Sequence, residues 1–137
     1  MNIALLGYGR MGKEVETIAL EREHHVTTIL DVASGPFSSI EFSRVDVAID
    51  FTLPESAAGH IRTAFQHQLP IVVGTTGWYD ELPAIQEACQ QEGGALFYAP
   101  NFSIGVNILF ELNKYLARLM NDQADYRPAI QETHHTG

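Results

Sequence analysis

The sequence predicts an α/β protein built on a doubly wound parallel sheet with helices on both faces. Short apolar, β-branched runs alternate with stretches of helical periodicity almost from the first residue. The helical stretches are long enough to serve as crossovers, which makes the joined strands parallel and covers the sheet on both sides. The unusual polar segments at 7–12, 50–55, 74–78 and 99–103 all follow strand ends. They therefore gather at one edge of the sheet, where such proteins bind their ligands.

Ile3-Ala4-Leu5-Leu6 is a compact apolar run ending in glycine, as a buried parallel strand would be. A helix is expected from Met11 to Glu23, with Val15, Ile18 and Ala19 inward. Val26–Leu30 forms a second strand that ends at Asp31, and residues 33–43, with Gly35, Pro36 and three serines, read as a loop with room for a short helical turn. Val45–Phe51 is the third strand. Thr52-Leu53-Pro54-Glu55 has capping-box spacing, with proline in the first turn, where its missing N–H costs nothing. The helix it opens runs to Gln68. Ile71-Val72-Val73 is a fourth strand, Asp80–Glu92 a helix stopped by Gly93-Gly94, and Ala95–Ala99 a fifth strand. Ser103 caps a long helix whose apolar set is Ile108, Leu109, Leu112, Leu116, Leu119 and Met120. Tyr126–Gln131 reads as a sixth strand. Six strands suit the doubly wound dinucleotide-binding order, and the flavodoxin-like order is the alternative.

Composition narrows the function. The 137 residues, 45% of them hydrophobic and 18% charged, suit one compact domain with a real core. Cys89 is the sole cysteine, which excludes a disulfide framework and a cysteine-rich zinc site and suits a reducing cytosol. No apolar run approaches a membrane span, and Met1-Asn2-Ile3 does not begin a signal peptide. The net charge of −9, with scattered cations and no basic run, argues against nucleic-acid binding. An anionic ligand must then be held by backbone amides and a helix dipole.

Gly7-Tyr8-Gly9-Arg10-Met11-Gly12 offers such a site. It is a G-x-G-x-x-G placed between a strand and a helix, with one glycine for the tight turn, one for close approach of a pyrophosphate and one for helix–strand packing. Asp31 ends the second strand, where a carboxylate accepts hydrogen bonds from an adenine ribose. Together these make the expected fold Rossmann-type. Arg10 faces either solvent or the ligand, and Asp50 reads as a turn or capping carboxylate. Gly74-Thr75-Thr76-Gly77 follows an apolar strand, which turns its amides and hydroxyls toward the ligand edge.

The histidines divide. His24 and His25 fall in a helix-to-strand turn at the opposite edge and read as solvated. His60 and His67 lack the i, i+4 spacing of a metal pair, and no carboxylate is expected to complete a triad beside them. No metal site is expected. His134-His135 follows the last strand at the site edge, either as an exposed pair or as an acid/base group.

Five stretches, GYGRMG at 7–12, DFTLPE at 50–55, VGTTGW at 73–78, APNFSIGVN at 99–107 and ETHHTG at 132–137, together resemble the dihydrodipicolinate (4-hydroxy-tetrahydrodipicolinate) reductases of lysine and diaminopimelate synthesis. The resemblance covers the chain in the family's order. It implies an NAD(P)-binding Rossmann domain over residues 1–131, with residues 132–137 starting a catalytic motif. It also implies a separate substrate domain that makes a homotetramer interface. The glycine loop (Gly7, Tyr8, Gly9, Arg10, Met11, Gly12) and Asp31 would then hold the adenosine pyrophosphate. Gly74, Thr75, Thr76, Ala99, Pro100, Asn101 and Phe102 would line the nicotinamide end. His134 would be the acid/base and His135 a contact to the cyclic dicarboxylate substrate. The family's lysine would fall at position 138, so residues 1–137 by themselves are expected not to turn over. The implied reaction is hydride transfer from NAD(P)H in the cytoplasm, with NADH preferred because Asp31 would repel a 2′-phosphate, and NADPH accepted. Two other readings are the cofactor domain of another amino-acid-pathway dehydrogenase, against which APNFS and the His doublet argue, and a stand-alone NAD-binding sensor.

Overall fold

The computed structural model describes residues 1–31, 34–131 and 133, in two compact units, Met1–Pro100 and Asn101–Gly137. The first unit holds a parallel sheet of five strands, β1 (Asn2–Leu6), β2 (His25–Leu30), β3 (Val47–Asp50), β4 (Ile71–Val73) and β5 (Leu96–Tyr98). Its helices are α1 (Arg10–Glu21), α2 (Pro54–Gln66) and α3 (Leu82–Glu92). The second unit holds α4 (Ile104–Met120).

Strand order is β2-β1-β3-β4-β5, with every neighbouring pair parallel. This is the flavodoxin-like order, not the six-strand one. Two features of the sequence account for the difference. Tyr126–Gln131 forms no strand, so the expected sixth strand is absent among the described residues. The link between β2 and β3 carries two single 3₁₀ turns, Phe37–Ser39 and Phe42–Arg44, where a helix and a further strand would otherwise stand. Glycine, proline and serine in that link favour turns over either regular element.

The period-two alternation of the strands sorts the core into two layers. Ile3 and Leu5 of β1 face α1 and pack with Ala19, Val15, Val47 and Ile49. Ala4, Leu6, Ala48, Ile71 and Val73 face the other way, onto Ala57, Ile61, Ala64 and Phe65 of α2 and Ile85 and Ala88 of α3. Helices thus cover both faces, as the sequence predicted. The α3 stop also falls where expected, with Gly93 in the left-handed region at φ 64°.

One local expectation changes. Thr52 does not cap α2. Leu53 is the N-cap residue, no side chain caps the helix, and the Thr52 hydroxyl donates to Asp50 instead. Ser103, by contrast, accepts from the Val106 amide and does cap α4. Within the second unit the Asn107 amide donates to the carbonyls of Asn101 and Ser103, which ties down the first turn of α4. No described helix is long and apolar enough to cross a membrane.

Candidate dinucleotide-binding site

The chain reverses direction across the sheet between β1 and β3, and in open α/β sheets the ligand crevice lies at such a switch point, beyond the carboxyl ends of the strands. The segments that leave β1 and β3 meet there. The Gly7 amide donates to the Leu30 carbonyl at 2.8 Å, and the Phe51 amide donates to Leu6 at 2.8 Å. Both ladders therefore continue one step past the strands and aim the following loops at the same edge.

The three glycines of the loop differ in their surroundings. Gly7 has φ +88°, and a Cβ on it would fall on the Phe51 carbonyl. A Cβ on Gly12 would fall on the Gly7 carbonyl, so α1 starts directly against the loop. Gly9 differs, because a Cβ there would meet nothing within 4 Å. Open space at the N-cap of α1 is what an approaching pyrophosphate needs. No side chain caps the helix and its first turn has no acidic residue, so its first amides and positive dipole end can serve an anion. Tyr8 is braced over the loop, its phenol donating to Glu16 while the Lys13 ammonium sits 5.8 Å from the ring centroid.

A cleft of about 390 Å³ opens beside this loop, within the range of small-ligand sites. It brings Gly7, Tyr8 and Gly9 together with Asp31, as expected from the sequence. Beyond β2 two hydrogen bonds join Asp31 and Ser34: the Asp31 amide donates to the Ser34 hydroxyl, and the Ser34 amide to the Asp31 carbonyl. An adjoining groove is lined by Gly9, Arg10, Met11, Gly12, Gly74, Thr75 and Thr76, and shares Gly9, Phe51 and Thr52 with the cleft. The two meet at these shared residues and form one track.

Pro36, Phe37, Phe51, Leu53, Ser56 and His60, to which the sequence alone assigns no ligand role, also line the cleft. Phe51 and Leu53 lie in the polar 50–55 segment, whose position after a strand was the available signal. Ser56 and His60 reach the cleft from α2. Ala99 and Pro100 follow β5, which pairs with β4, so they emerge beside the 74–76 segment. Asn101 and Phe102 belong to the second unit. Glu132, His134 and His135 lie outside the described residues.

Asp50 is more than a turn carboxylate. It is fully buried, and four donors converge on it. Its Oδ1 accepts from the Thr52 amide at 2.9 Å, the Thr52 hydroxyl at 2.6 Å and the Thr75 hydroxyl at 2.9 Å. Its Oδ2 meets His60 Nδ1 at 2.7 Å. This corrects the expectation that no carboxylate accompanies His60. Burial pushes the Asp50 carboxyl up, but the hydrogen bonds from His60 and Thr52 outweigh it and hold the group below its ordinary value. Thr75, only 5% exposed, also accepts from the Thr52 amide at 2.8 Å. Its hydroxyl is therefore directed into the protein, and Thr75 can offer a ligand its backbone. No group of three or more potential metal ligands occurs among the described residues.

A glycine turn at the switch point, an open helix N-terminus and a carboxylate at the end of the next strand define a dinucleotide-binding α/β domain. Solved structures share this fold. A protein described as a homoserine dehydrogenase from Archaeoglobus fulgidus superposes with a TM-score of 0.57 at 20% identity, over 72% of this chain and 42% of that one. The Staphylococcus aureus homoserine dehydrogenase gives 0.52 at 19% identity, over 72% of this chain and 31% of that one. The model of the dihydrodipicolinate reductase N-terminus matches residues 1–102, and the chain belongs to this family. A 4-hydroxy-tetrahydrodipicolinate reductase of Christiangramia forsetii is 47% identical over 135 residues, 98% of this chain and 56% of the relative. The corresponding reductase of Pseudoalteromonas atlantica is 40% identical over 99 residues, 72% of this chain and 36% of the relative. The chain thus spans about half, or less, of the curated relatives it matches.

Proposed function

We propose that this chain is the dinucleotide-binding part of a 4-hydroxy-tetrahydrodipicolinate reductase, holding NADH or NADPH for reduction of a cyclic dicarboxylate. The observation that carries the reading is the open space at Gly9, on a helix start that no side chain caps, in one track with Asp31. A bound reduced nicotinamide would supply the hydride. The chain's residues supply binding and orientation. First-turn amides of α1 hold the pyrophosphate, Asp31 accepts from the adenine ribose, and the 74–76 segment with Ala99 and Pro100 flanks the nicotinamide. In this reading residues 1–131 are the cofactor domain. His134 is the proton donor, a role an imidazole can fill, and His135 contacts the substrate carboxylates. The complete enzyme is a cytoplasmic homotetramer.

The cofactor preference follows from charge. A 2′-phosphate at the end of β2 would meet the Asp31 carboxylate, and no basic residue follows Asp31 before Arg44. NADH is expected to bind more tightly by about 1–3 kcal/mol, roughly five- to a hundred-fold. Calorimetric titration of the protein with both nucleotides at low and moderate salt tests this. Equal or tighter NADPH binding at both ionic strengths would remove Asp31 from its role and transfer the phosphate to Arg10.

A further inference from the structure

We propose that Asp50 is a positioning residue that sets both halves of the dinucleotide track at once. It fixes His60 as the Nδ1–H tautomer, leaving Nε2 as a hydrogen-bond acceptor at the adenosine cleft, and it pins Thr52 and Thr75 so that the backbone after β3 and β4 is held for the nicotinamide half. The proposal rests on the dinucleotide reading above and goes beyond it.

The geometry separates Asp50 from an ordinary turn carboxylate. A turn after β3 needs only the bond from the Thr52 amide to Oδ1, two residues on. Asp50 instead joins three elements: its own strand end, α2 through His60, and the segment after β4 through Thr75. An ionised carboxylate only accepts hydrogen bonds, so His60 must present a proton at Nδ1. The second ring nitrogen, Nε2, then has a lone pair when the ring is neutral. His60 lines the cleft, its side chain is 23% exposed, and Nε2 bonds to no described residue. The Phe37 ring meets the imidazole edge to face, with centroids 5.7 Å apart and planes at 77°, so the ring plane is held from a second side. On the other flank Thr75 Oγ1 bridges Asp50 and the Thr52 amide. Thr52 lines both the cleft and the groove. Displacing Asp50 therefore releases a cleft-lining ring and a loop shared by both ends of the track.

Two readouts on the 137-residue protein test this. Nitrogen-15 NMR of the histidine rings, at a pH where His60 is neutral, reports which nitrogen carries the proton. Calorimetry with ADP-ribose and with NADH separates the adenosine half from the nicotinamide half. The wild type is expected to show the proton on Nδ1. Asp50→Asn should shift it wholly or partly to Nε2, weaken ADP-ribose about tenfold and weaken NADH by a clearly larger factor. His60→Asn keeps a donor toward Asp50 and loses Nε2, so it should weaken both ligands by the same factor. Thr75→Val should weaken NADH more than ADP-ribose and leave the His60 tautomer unchanged. If Asp50→Asn does not fold, the last two variants carry the test, because they must act on different halves. A wild-type proton on Nε2, an unchanged tautomer and NADH/ADP-ribose ratio in Asp50→Asn, or wild-type affinities in both His60→Asn and Thr75→Val would each overturn the proposal. A wild type that binds neither ligand but shows the Nδ1 proton would overturn the dinucleotide reading, and the proposal with it.

Discussion

At the residue scale, two glycines of one loop make opposite demands. Gly7 needs a positive φ and has the Phe51 carbonyl where a Cβ would go, so Gly7→Ala strains the folded state. A loss of about 2–4 kcal/mol in denaturant unfolding is expected. Gly9 has ordinary φ and open space, so Gly9→Val should leave the melting temperature within a few degrees of wild type. The same change puts a branched side chain in the path of the pyrophosphate and is expected to abolish NADH binding in calorimetry. Undiminished affinity would make the loop merely structural. Asp50 supplies a pH signature. Its folded pKa lies below the unfolded value, so its contribution to stability is complete above the unfolded carboxylate pKa of about 4. That contribution is lost as pH falls through the lower, folded value. Asp50→Asn should accordingly flatten the acid limb of the stability profile followed by urea unfolding. A limb as steep as that of wild type would assign acid sensitivity to other carboxylates.

At the scale of elements, α2 joins the core to the site. Its inner side carries Ala57, Ile61, Ala64 and Phe65, all fully buried, while Ser56 and His60 line the cleft. The orientation of the site thus depends on how this helix packs on β3 and β4. Phe65 also fills the space where a Cβ on Gly94 would lie, so it locks the turn after α3. Phe65→Ala leaves a cavity there and is expected to cost about 3–5 kcal/mol, measured by urea unfolding. A loss below about 1 kcal/mol would mean that the helix can collapse into the space. The α2 start also shows why spacing can mislead. Thr-x-x-Glu at 52–55 has the capping pattern, yet a buried carboxylate two residues earlier takes the threonine hydroxyl. Ser103 has no such competitor, and its cap forms.

At the scale of the whole molecule, the charge of −9 opposes an anionic ligand at long range, while the α1 N-terminus attracts it only locally. Salt screens the long-range part over a Debye length of about 8–10 Å. NADH association followed by stopped-flow fluorescence should hence speed up modestly as ionic strength rises from low to physiological. A rate that falls steeply would mean that a local cation, and not the helix terminus, captures the ligand. The sequence by itself determined the class of fold, five of the six strands it predicted, and the turn and packing roles of Gly7 and Gly12. Those are local properties, since side-chain period and the conformations open to glycine need no distant partner. It could not supply the strand order, because the turns between β2 and β3 become a shortened edge only once the sheet assembles. Nor could it pair Asp50 with His60, ten residues away on α2, or with Thr75, twenty-five residues away beyond β4. Tertiary structure alone decided those contacts, because a buried carboxylate must find its donors wherever the packing of helix and sheet brings them.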